Sequence, residues 1–102
     1  MSFTPVPDPI FTHVLKKPIR FLDDEISEIA VREPTSGDMQ RHGNPVKYDP
    51  RFDPPTIEID ETKAFAMLSA LSGIPVSILG QLKPNDALEI FWGFARHFIP
   101  GL

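Results

Sequence analysis

The sequence predicts an α+β domain: a short N-terminal β-hairpin packed on about three C-terminal helices, with a proline-rich central loop. Three observations carry this reading. Two stretches rich in β-branched and aromatic residues flank an acidic tip at Leu22–Glu25. Proline occurs 12 times and is concentrated early in the chain and between residues 43 and 56. From Asp60 onward, apolar residues recur at helical spacing and are broken by Gly-Ile-Pro and Lys-Pro punctuation.

Taken in order, residues 1–11 hold Pro5, Pro7 and Pro9 and read as a flexible extended arm ahead of a single domain at 12–102. In residues 12–21, Val14, Ile19 and Phe21 suit a strand, with Pro18 confined to an edge or a bulge. A second strand over residues 26–33 turns Ile29 and Val31 to one face, and Glu28 and Ala30 to the other. Pro34 ends it, and Thr35 with Asp38 forms a capping box for a helix at 36–42 that stops at Gly43. Residues 43–56 contain four prolines and read as a long irregular loop.

Asp60 is a good N-cap for the next helix, in which Ala64, Met67, Leu68 and Leu71 share one stripe. Gly73 suits a left-handed C-terminal position. Pro75 and Pro84 suit the first positions of a short helix reaching about Gln81 and of a final helix over 84–98.

That final helix is unusual. From Ala87 to Ile99 only Glu89, Gly93, Arg96 and His97 interrupt its apolar surface, and they fall on one narrow stripe. A helix apolar on most sides requires burial on most sides. A small domain with one thin hairpin covers only part of it, and the uncovered part is an interaction surface for a client or a second copy. Leu88, Ile90, Phe91, Trp92, Phe94 and Phe98 are the candidate protein-binding residues, with Trp92 the preferred anchor.

Composition narrows the chemistry. A length of 102 residues suits one domain with one modest core. The net charge of -4, without clustered Lys and Arg, makes a nucleic-acid surface an unfavoured reading. There is no cysteine to form a disulfide, a thiolate nucleophile or a Cys-ligated metal. No apolar stretch reaches the roughly 20 residues needed to cross a bilayer, and the N-terminus lacks a signal-peptide pattern. His13, His42 and His97 are far apart and read as isolated, so no metal site, catalytic centre or cofactor is expected. Asp38 and Asp86 both fall in first helical turns and read as helix-capping carboxylates, and Arg32 with Glu33 as a surface ion pair.

With these pieces in order, the chain resembles the small phage tail assembly chaperones of the tail protein E or 41 type, found in Mu-like and P2-like phages. The resemblance rests on LKKPI at 15–19, on IAVREPTSGDM at 29–39, and on LSALSGIPVSILGQLKPNDALEI at 68–90, in that order and spacing. It implies a non-enzymatic protein that binds the tape measure protein, and possibly tail tube components, and keeps the former soluble during tail morphogenesis. It further implies absence from the mature virion; with it goes the expectation of work in the host bacterial cytoplasm, and the apolar surplus of the last helix adds that of a homo-oligomer. The alternative is a small helix-turn-helix DNA-binding regulator, because AFAMLSALSGIPVSILGQL has the helix–turn–helix outline. Its second helix, however, offers only Gln81 and Lys83 to bases or phosphates.

Overall fold

In a computed structural model describing residues 6–100, an arch in the first strand decides how the helices are placed. The expectation of a flexible arm concerns residues 1–11, of which 1–5 lie outside the described residues. Strands β1 (Phe11–Phe21) and β2 (Asp24–Val31) form the expected antiparallel hairpin. Its ladder pairs Phe11 with Val31 through Val14 with Glu28, then resumes at Ile19 with Ile26. Residues 15–18 therefore bow out opposite Ser27. Pro18, which has no amide to give a ladder, sits within this bulge. A regular strand would send Leu15, Lys17 and Ile19 to the same face. The arch instead buries Leu15 and Ile19 and leaves Lys17 in solvent.

The arch is held by Asp86, which is completely buried. The Lys16 amide donates to both carboxylate oxygens, at 3.2 and 3.0 Å, and the Lys17 amide donates at 3.4 Å. His13 Nε2 donates at 3.0 Å. Asp86 was expected to cap its own helix, and the structure corrects this. The helix has no side-chain cap, because its first-turn carboxylate is spent on strand amides some 70 residues away in sequence. Burial pushes the Asp86 carboxyl upward. Its hydrogen bonds from His13, Lys16 and Lys17 outweigh that and hold it below the usual carboxylate range.

Helix α1 (Ser36–His42) starts with the predicted capping box. The Asp38 amide donates to Thr35 Oγ1 at 3.3 Å, and the Thr35 amide donates to Asp38 at 2.9 Å. Asp38 has a second partner that the sequence reading missed. Arg32 meets it with two parallel N–H···O bonds of 2.8 Å, and Arg41 adds a third at 3.1 Å. The expected surface ion pair of Arg32 with Glu33 is thus replaced by a fork on a fully buried carboxylate. The Arg32 guanidinium, aided by Thr35, holds the Asp38 carboxyl well below its ordinary range against the opposing effect of burial.

The stretch expected to be an irregular loop contains a second antiparallel hairpin, β3 (Val46–Asp49) with β4 (Thr56–Ile59). Its four prolines flank the strands instead of lying within them, and each strand alternates apolar and polar residues. Val46 buries itself against Ala95 and Ile99, with Tyr48 and Phe98 packed alongside.

Helix α2 (Glu61–Ser72) is capped by Asp60, which accepts from the Lys63 amide at 3.1 Å. It ends at Gly73, whose φ of 78° is a left-handed conformation that glycine adopts without strain. The predicted stripe of Ala64, Met67, Leu68 and Leu71 is fully buried. Helix α3 (Val76–Leu79) is shorter than expected, and Pro75 is its N-cap rather than its first residue. Helix α4 (Pro84–Ala95) begins with Pro84 as predicted and tightens into a 3₁₀ turn over Arg96–Phe98. One core joins the first hairpin to α2, α3 and α4. It includes edge-to-face contacts running from Phe65 through Phe91 and Phe94 to Phe98, with centroid separations of 4.9, 6.1 and 6.2 Å. Gly93 lets α4 lie close on β1, since a Cβ there would come within 2.7 Å of the Phe11 ring.

Asp86→Ala leaves two arch amides and His13 without their acceptor, and a loss of about 3 kcal/mol is expected in urea unfolding. Asp60→Ala, the loss of an ordinary cap, is expected to cost about 1 kcal/mol. Asp38 and Asp86 both have lowered native pKa values. Below the unfolded carboxylate range of about 4, the unfolded chain therefore takes up protons that the native chain refuses. Wild-type stability should hold between about pH 7 and 5 and fall as the pH drops further, with a shallower fall in Asp86→Ala.

Candidate protein-binding surface

The arch fixes which way α4 faces. Asp86 and Gly93, seven residues apart on the helix, both meet β1. That rotation puts Ile90, Phe91 and Phe94 in the core, each no more than 1% exposed. Phe98 is half-buried between the main core and the small cluster under the second hairpin. Leu88 and Trp92, one turn apart, face solvent at 44% and 52% exposure. Of the six residues singled out from the sequence, these two form the exposed apolar surface of α4.

Leu88 is not isolated. It lines a cleft of about 250 Å³ with Phe91 and Pro84 from its own helix and Phe65 and Glu61 from α2. Phe65 also borders a second cleft of about 240 Å³, lined by Thr62, Val76 and Gly80. Val76 is 49% exposed. Sequence reasoning missed Phe65 and Val76 as surface residues. The available signal was that Phe65 lies off the Ala64–Met67–Leu68–Leu71 stripe, so a large aromatic side chain had no assigned place in the core.

Two other groupings bear on rival chemistries. His13, expected to be isolated, meets Asp86 and Glu89, with one ligand-type atom from each within 4.8 Å of the others. The arrangement is already satisfied without an ion. Asp86 accepts from His13 and two amides, and the Lys16 ammonium lies 3.0 Å from Glu89. It is a tertiary tie between β1 and α4. The DNA-binding alternative gains no support. Gln81, one of its two reading residues, accepts from the Arg20 amide and donates to the Arg20 carbonyl, both at 2.9 Å. Its amide thereby pairs with the free edge of β1 as a neighbouring strand would, and α3 spans only four residues.

Leu88 and Trp92 thus leave an apolar strip of α4 in solvent. Residues 12–99 match the family model described as phage tail assembly chaperone proteins E, 41 or 14. The chain belongs to that family of tail assembly chaperones, a membership that points to assembly work without catalysis. No curated protein and no solved structure gives a significant match. Among the described residues, no helix is long and apolar enough to cross a membrane.

The two sides of α4 should respond differently to charge. Leu88→Asp and Trp92→Asp are expected to keep the wild-type circular dichroism spectrum and to melt within a few degrees of the parent. Ile90→Asp and Phe94→Asp bury an unpaired carboxylate and should show no cooperative thermal transition.

Proposed function

We propose that this chain is a non-enzymatic tail assembly chaperone that binds apolar helical segments of the tape measure protein and keeps that protein soluble until the tail tube forms around it. Its place of work is the host bacterial cytoplasm, and it leaves before the virion is complete. The observation that carries the reading is the pair Leu88 and Trp92, held in solvent on a helix whose other apolar side chains are packed.

The energetics suit a transient hold. Burying the exposed halves of these two side chains contributes about 2 kcal/mol, roughly thirtyfold in affinity. That is enough to compete with aggregation of a client that offers several such segments. It is small enough for polymerising tail tube components to displace the chaperone. The homo-oligomer expected from the sequence would draw on the same two side chains, which places self-association and client capture in competition.

Co-expression with a cognate tape measure protein tests the reading. Wild-type chain should move the tape measure protein from the pellet to the soluble fraction and co-purify with it. The folded Leu88→Asp and Trp92→Asp variants should lower recovery several-fold. A tape measure protein that stays insoluble with wild-type chain, or that is equally soluble with both variants, defeats the proposal.

A further inference from the structure

The two clefts share one wall residue, Phe65, and this paired furrow is lined from α2, from Val76 and Gly80, and from Leu82 and the first two turns of α4. We infer that this furrow receives a single amphipathic helix, whose apolar stripe is flanked by lysine or arginine on the side that meets Glu61. The inference deepens the tail-chaperone reading and depends on it only for the source of that helix.

Size points away from a small molecule. Each cleft, at about 250 and 240 Å³, falls below the usual range for cofactor or metabolite pockets. Each suits one large apolar side chain, and a helix presents such side chains one turn apart on a single stripe. Val76 lines one cleft and Leu88 the other, with Trp92 one helical turn beyond Leu88.

Backbone chemistry points to a helix over a strand. No residue of a β-strand lines either cleft, so the furrow offers no free strand edge to pair with an extended peptide. Strand β1 could offer such an edge elsewhere, but Asp86 and Gln81 occupy it at Lys16, Lys17 and Arg20. The occupant must therefore satisfy its own backbone, as a helix does.

Charge supplies the rest. Glu61 is the single charged residue lining either cleft. It is exposed, follows the capping Asp60 in sequence, and makes no ion pair among the described residues. No basic side chain lines the furrow to offset it. A second copy of the chain brings a net charge of -4 toward that acidic lip, whereas a basic-flanked helix complements it.

Trp92 is the single tryptophan of the chain and stands beside Leu88, so its emission reports occupancy. Two synthetic 18-residue helical peptides without tryptophan serve as probes. They share leucines at i, i+4 and i+7 and differ only in lysine or glutamate flanks. With wild-type protein, the lysine-flanked peptide should shift Trp92 emission to the blue. By calorimetry it should bind at least tenfold more tightly than its glutamate-flanked twin. Val76→Asp should weaken binding at least tenfold. Val14→Asp, at an exposed position on β1 away from the furrow, should not. Glu61→Lys should reverse the preference between the two peptides. Equal binding of the two peptides to wild-type protein, or undiminished binding to Val76→Asp, overturns the furrow assignment and leaves the tail-chaperone reading intact. Failure of wild-type chain to solubilise a tape measure protein overturns that reading and leaves the peptide result standing.

Discussion

A single buried carboxylate sets the geometry of this domain. Asp86 gathers the amides of Lys16 and Lys17 and the imidazole of His13 at the point where β1 departs from its ladder. Without an acceptor there, the arch would leave donors unpaired beside the core, and such donors are costly to bury. With it, the arch becomes a socket for the first turn of α4. The helix can then rotate little, and its faces acquire separate duties. Ile90, Phe91 and Phe94 supply the core, while Leu88 and Trp92 are left outside.

The Arg32–Asp38 fork plays the corresponding part at the other end of the hairpin. The Arg32 side chain closes on Asp38 of α1, and its amide donates to the Leu71 carbonyl of α2 at 3.1 Å. One residue at the strand exit thus ties down both the short helix and the long one. Two buried carboxylates, each answered by several donors, hold together the parts of a small domain whose hydrophobic core alone is modest.

Local signals were legible in the sequence wherever the chemistry is local. The capping box at Thr35, the cap at Asp60, the left-handed Gly73 and the opening Pro84 are all decided by residues within a few positions of each other. The second hairpin is hidden because a proline-rich stretch signals irregular backbone, whereas these prolines border the strands. The role of Asp86 was hidden because its partners lie some 70 residues away, a distance no local pattern reports. The candidate surface shows the same division. The excess apolar width of the last helix is visible in the sequence. The choice between its flanks depends on the socket at Asp86, and the participation of Phe65 and Val76 depends on how α2 and α3 meet α4.

The β3–β4 hairpin stands apart from these constraints. Val46 anchors it against the end of α4, whereas Thr56, Ile57 and Glu58 and the whole tip over residues 50–55 are exposed. A two-stranded ribbon with so little buried surface opens locally at small cost while the rest of the domain stays closed. Proteolytic nicking should therefore begin at this tip and leave the two fragments associated through the main core. For the same reason, the tip is the natural position at which to splice in an affinity tag or a fluorescent label without disturbing α4.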